Sequence, residues 1–111
     1  MSEPLRILAF GAHPDDCDIS IGGLAVKYTR LGHKVKFVSV TNGNTGHFAM
    51  GGGVLARRRY EEAQCAGRVA GVEYEVVDIH NGQLLPTLEN RWLLVRIIRE
   101  FQPDLILTNR P

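Results

Sequence analysis

Four short apolar runs alternate with three stretches of helical period along this chain. Leu5–Phe10 is nearly continuous in apolar residues and predicts a first strand. Ile21, Leu24, Ala25, Tyr28 and Leu31 then recur at steps of three and four, predicting an amphipathic helix with Ser20 as its N-cap and Gly32 at its end. Val35–Thr41, with Val35, Phe37, Val38 and Val40, predicts a second strand. The glycine-rich segment from Asn42 to Gly53 is too long for a simple connection and reads as a functional or mobile loop. Leu55 to Ala70 predicts a second helix, ended by Gly71, whose sheet-facing side is made of Ala63, Ala66, Ala70 and Val69. Glu73–Ile79 predicts a third, weaker strand, because Glu73 and Glu75 alternate with Tyr74 and Val76. A third helix starts near Thr87, carries the stripe Leu94, Ile97, Ile98 and Phe101, and stops at Pro103. Asp104–Thr108 is the fourth strand.

The order is βαβαβαβ, which implies an α/β fold: a Rossmann-like parallel sheet with right-handed crossovers, helices on both faces and strand order 3-2-1-4. Ligands of such sheets bind beyond the carboxyl ends of the strands, near the point where the order reverses. His13, Asp15 and Asp16 follow the first strand, Thr41 to Gly46 the second, and Asn109-Arg110 the fourth, so three motifs converge on one rim. An apolar fourth strand at an open edge invites pairing, either in a homo-oligomer or with another chain, unless these residues are the front part of a longer protein. The last alternative is favoured.

With 111 residues the chain is one domain at most. A net charge of +1 gives no general attraction to nucleic acid, and Arg57-Arg58-Arg59 is the one basic cluster. Cys17 and Cys65 show no paired spacing, which argues against a disulfide framework or a thiolate zinc site. The N-terminus lacks the features of a signal peptide and no segment has the length of a membrane span. The expectation is a cytoplasmic protein with reduced thiols and no membrane partner.

The chemistry concentrates in His13-Pro14-Asp15-Asp16. A buried strand end is a poor place for three ionisable groups unless something there uses them. A histidine nitrogen and an aspartate oxygen three residues apart can reach one cation if the turn between them is tight, and Pro14 stiffens it. Mixed nitrogen and carboxylate ligation suits Zn2+ or another divalent first-row metal rather than calcium. One aspartate can then bind the metal while the other reaches a water, the division that metal-assisted hydrolysis needs. On spacing alone, an Asp-rich turn that merely caps the following helix is the competing reading.

The motif Phe10-Gly-Ala-His-Pro-Asp-Asp-Cys-Asp-Ile-Ser-Ile-Gly-Gly23 resembles the opening block of the LmbE-like, or PIG-L, N-acetylglucosaminyl deacetylase family. Val40-Thr-Asn-Gly-Asn-Thr-Gly46 resembles its second block, Arg59-Tyr-Glu-Glu62 its Arg-x-x-Glu helix, and Phe101-Gln-Pro-Asp-Leu-Ile-Leu-Thr108 the strand before its last metal motif. The resemblance runs through the whole chain in order. It implies zinc-dependent removal of an acetyl group from an N-acetylated amino sugar or its conjugate. His13 and Asp16 match metal ligands, Asp15 the general base, and Arg59 the substrate-contacting arginine. Asn42, also assigned to substrate binding, stands where the family often has aspartate, and Asp18 where it usually has glutamate. The family's third ligand is a histidine just after the fourth strand, where this sequence reaches Pro111. The resemblance therefore implies the N-terminal portion of one deacetylase domain, with weak metal binding by these 111 residues alone. Neither His47 nor His80 matches the third position.

Other candidates read more blandly. His33 sits at the opposite rim and reads as structural, Trp92 as helix packing or an interface residue, and Arg57 and Arg58 as a solvated helix start. Asp78 and His80 stand on the site's rim. Two other functions compete with the deacetylase: a non-catalytic sugar- or nucleotide-binding module, and an assembly fragment that docks through its fourth strand. Nicotinamide binding is disfavoured, because His-Pro-Asp-Asp replaces the Gly-x-Gly-x-x-Gly that would follow the first strand.

Overall fold

The computed structural model describes residues 3–13, 16–42, 52–79 and 87–108. Strand β1 (Arg6–Gly11) leads into α1 (Asp16–Arg30), β2 (Lys34–Ser39), α2 (Gly52–Ala70), β3 (Glu73–Val76), α3 (Leu88–Phe101) and β4 (Leu105–Leu107). The sheet is parallel with order β3-β2-β1-β4, as the alternation of elements predicts.

Period-two alternation in the strands sorts their side chains onto two faces. Ile7, Ala9, Val35, Phe37 and Tyr74 form one core layer with Cys17, Ala25 and Ala63 of α1 and α2. Leu8, Val38 and Val77 form the other with Ile97 and Phe101 of α3. Phe37 meets Tyr74 edge-on, their ring centroids 5.5 Å apart. Gly67 lets α2 lie against β3, since a Cβ there would fall 2.9 Å from the Val72 carbonyl oxygen.

Several predicted boundaries move. Helix α1 begins at Asp16, so Ser20 lies one turn inside it and is not its N-cap. Helix α2 takes in Gly52 and Gly53, which the sequence assigns to the preceding loop. Its sheet-facing residues are Leu55, Ala63 and Gly67, whereas Val69 is 84% exposed. Strand β3 ends at Val76, yet Val77 and Asn42 continue its pairing, with Val77 N–H donating to the Ser39 carbonyl and Asn42 N–H to that of Ile79. The glutamates that weaken β3 on paper have a partner: Lys36, buried on the neighbouring strand, reaches Glu75 at 2.7 Å and Glu73 at 3.8 Å.

At the amino rim, Arg6 ties α3 to β1. Its Nε donates to the Phe101 carbonyl at 2.7 Å, its guanidinium lies 4.5 Å from the Phe101 ring centroid, and its backbone N–H donates to Asp104 Oδ2. His33 is structural as expected, its Nδ1 accepting from the Leu5 N–H at 2.9 Å. Thr87 caps α3 through its Oγ1, which accepts from Asn90 N–H. Among the described residues, no helix is long and apolar enough to cross a membrane.

Candidate active site

The first loop is short because α1 starts five residues after the last residue of β1. Asp16 and His13 bracket it reciprocally. Asp16 N–H donates to the His13 carbonyl at 3.1 Å, and Asp16 Oδ2 accepts from the His13 N–H at 2.8 Å. The Asp16 carboxylate thus sits at the first turn of α1, where unpaired N–H groups favour negative charge. The same oxygen is 3.3 Å from His13 Nδ1, and both side chains are partly exposed.

That spacing tests whether the pair suits a cation. Ligands held at about 2.0–2.2 Å around a tetrahedral zinc are separated by about 3.4 Å. The pair therefore matches one edge of such a shell without rearrangement, and its mixed nitrogen and oxygen donors suit a first-row metal. Among the described residues no group of three or more His, Cys, Asp and Glu side chains converges there or elsewhere. Asp15 lies outside the described residues, as do His47, His80, Asn109 and Arg110.

Gly11 makes the bracket possible. A Cβ at this position would fall 2.8 Å from Asp16 Cβ and 3.2 Å from Cys17 Sγ, so any side chain would push α1 off the strand end. Cys17 itself is core, its Sγ 3.7 Å from the Ala9 carbonyl oxygen. Beside Asp16 a cleft of about 120 Å³ opens between α1 and the end of β4, lined by Ser20, Ile21, Leu107 and Thr108.

Hydrogen bonds stitch the rim from strand to strand. Val40 N–H donates to the Gly11 carbonyl, and both the N–H and Oγ1 of Thr41 donate to that of Ala12, the hydroxyl at 2.6 Å. Ser39 Oγ in turn donates to the Thr41 carbonyl at 2.7 Å. Asn42 carries the chain onward, its Nδ2 donating to Asp78 Oδ1 at 2.9 Å. Asn42 is buried, and its amide faces the third strand's exit. Sequence reading assigns no role to Thr41, although a threonine at the last buried step of a strand, before a polar run, is the signal of such a clamp.

The three consecutive arginines near the start of α2, Arg57 to Arg59, point in different directions because of the helix period. Arg59 stands on the stripe Leu55, Arg59, Ala63, Gly67 and is only 23% exposed in its side chain, 3.5 Å from Glu62. Arg57 and Arg58 are exposed, and Arg58 pairs with Glu62 at 3.1 Å. Arg59 is thus the most sheltered of the three, and the structure brings together His13 with Asp16, and Asn42 with Asp78.

Comparison with known proteins bears on the family and the fold. The sequence pattern of the PIG-L family, described as GlcNAc-PI de-N-acetylase, matches residues 8–111. A diacetylchitobiose deacetylase of Thermococcus kodakarensis is 33% identical over 109 residues, covering 96% of this chain and 41% of the relative. The structure of the N,N'-diacetylchitobiose deacetylase of Pyrococcus horikoshii superposes with a TM-score of 0.83 at 32% identity, over 90% of this chain and 39% of that one. The 4-carboxy-2-hydroxymuconate hydratase GalB of Pseudomonas putida shares the fold, with a TM-score of 0.81 at 22% identity over 90% of this chain and 45% of that one. The chain spans about two fifths of the length of these two diacetylchitobiose deacetylases.

Proposed function

The chain belongs to the PIG-L, or GlcNAc-PI de-N-acetylase, family, and from that premise we propose that it is the N-terminal portion of a zinc-dependent deacetylase domain acting on an N-acetylated amino sugar or its conjugate. The observation that carries the proposal is the 3.3 Å approach of His13 Nδ1 to Asp16 Oδ2 at the carboxyl rim of a central strand. Similarity above 30% identity to two diacetylchitobiose deacetylases supports an acetylated amino sugar as the substrate class.

In this proposal His13 and Asp16 hold Zn2+, or another divalent first-row cation, and a histidine beyond the fourth strand completes the ligand set in the longer protein. When bound, the cation supplies a Lewis acid for the acetamide carbonyl and makes a water more acidic. Asp15, between the two ligands in sequence, is the general base. Its carboxylate takes a proton from the attacking water and returns it to the amide nitrogen as the C–N bond breaks, giving acetate and a free amine. Gly11 and Thr41 keep the loop in place. Arg59, partly sheltered on the sheet-facing stripe of α2, is assigned to substrate binding, and Asn42, held by Asp78, shapes the same rim.

The test is acetate release by the full-length protein from N-acetylglucosamine and N,N'-diacetylchitobiose. The expected result is zinc-dependent release that Asp15→Asn lowers by about 10² or more in kcat while bound zinc stays the same. Failure to release acetate from either sugar rejects the reading.

A further inference from the structure

Besides the metal rim, the structure holds a second concave site that none of the site residues above explains. A groove of about 550 Å³ runs between α3 and the exit of β3, within the size range of small-molecule sites. Its floor is apolar: Ile79 and Leu93 pack on the edge of the α3-side core. Its wall carries Trp92, which is 56% exposed and stands with Arg96 on the outer side of α3, away from the buried stripe of Ile97 and Phe101. Asp78, Asn90 and Arg96 line the same groove and offer both donors and acceptors.

The geometry points to a carbohydrate subsite here, in which Trp92 is the platform for a sugar ring beyond the one that reacts. An exposed indole beside mixed hydrogen-bonding groups suits a ring with one apolar face and an edge of hydroxyl and amide groups. The charges argue against the alternatives. Arg96 is outnumbered by Asp78 and Glu89 and lies 4.0 Å from Glu100, so the groove offers no net positive site for a phosphate or nucleotide, and its polar wall does not suit an apolar helix.

Position supports the assignment. Strand β3 lies two strands from β1, so its exit is about 10 Å from the His13 loop. That is the reach of a second or third sugar unit. Asp78 joins the two regions directly, because it lines the groove and also accepts from Asn42 of the stitched rim. The inference deepens the deacetylase proposal and rests on it for the reacting sugar, naming a glycan of at least two rings as the substrate.

Calorimetric titration of the full-length protein carrying Asp15→Asn tests it, since that background blocks turnover if the deacetylase reading holds and is silent if it does not. The probes are N,N'-diacetylchitobiose and N-acetylglucosamine, and the readout is the ratio of their affinities. Trp92→Ala should lower that ratio about tenfold, and Trp92→Phe, which keeps a stacking face, should restore most of it. An unchanged ratio in Trp92→Ala, an equal loss for both sugars, or no disaccharide binding by the parent overturns the subsite. A Trp92-dependent ratio in a protein whose wild type releases no acetate supports the subsite and rejects the deacetylase reading alone. Acetate release with an unchanged ratio does the reverse.

Discussion

Asp16 Cβ and the position a Gly11 Cβ would take are 2.8 Å apart, closer than two such carbons approach in proteins. The Asp16 atom is fixed to the first turn of α1 and has no freedom to swing aside. Gly11→Ala should therefore move the helix end and widen the 3.3 Å His13–Asp16 pair. The expected outcome in the full-length protein is zinc affinity lowered about tenfold or more, with a destabilisation of about 1–3 kcal/mol from overpacking. Calorimetric zinc titration and thermal melting read the two effects separately.

Thr41 holds the loop from the other side. Its hydroxyl donates to the Ala12 carbonyl at 2.6 Å, one residue before His13. Thr41→Val keeps the shape and removes the donor, leaving a partly buried carbonyl with one partner fewer, at about 1 kcal/mol. Thr41→Ser should recover zinc affinity and most of the stability, because the donor returns. Equal behaviour of the valine and serine variants would show that the hydroxyl positions nothing.

Asn42→Asp sets a carboxylate against Asp78 Oδ1, where the amide now donates at 2.9 Å. Two facing carboxylates raise the folded-state pKa of the pair above the unfolded value. The folded state then binds more protons than the unfolded one, so the variant loses stability as pH rises through that raised value. Urea melts should show a penalty of about 1–2 kcal/mol at pH 7, modest because Asp78 is exposed, that fades below about pH 4. A pH-independent penalty would mean that only the hydrogen bond matters.

Arg6→Ala removes the bond to the Phe101 carbonyl and the cation over the Phe101 ring. A loss of about 1–3 kcal/mol is expected by chemical denaturation. Zinc affinity should stay within twofold, because this clamp lies on the rim opposite His13 and Asp16.

The sheet order was readable from the alternation of strand and helix, since parallel strands need long crossovers and the motif at the end of β1 marks the reversal point. Helix starts were harder to read. Ser20 looks like an N-cap, but the helix begins at Asp16, whose backbone N–H and carboxylate are both tied to the His13 backbone. Ala63 and Ala70 do face the core, but Val69 does not, because the rotation set by Leu55, Ala63 and the close packing of Gly67 leaves it on the outer side. The His13–Asp16 pair was legible from spacing and a tight turn. The Thr41 clamp was not, because it depends on the ends of β1 and β2 lying side by side, and the Trp92 groove was not, because it depends on how α3 packs beside the exit of β3.

The central claim is that His13 and Asp16 ligate one cation. X-ray absorption at the zinc edge of the full-length protein tests it most directly, with His13→Ala and Asp16→Ala alongside. The account predicts nitrogen and oxygen neighbours at about 2.0–2.2 Å in the wild type. It also predicts one fewer imidazole in His13→Ala, and weaker zinc binding in both variants. A wild-type zinc shell that neither substitution alters would contradict it.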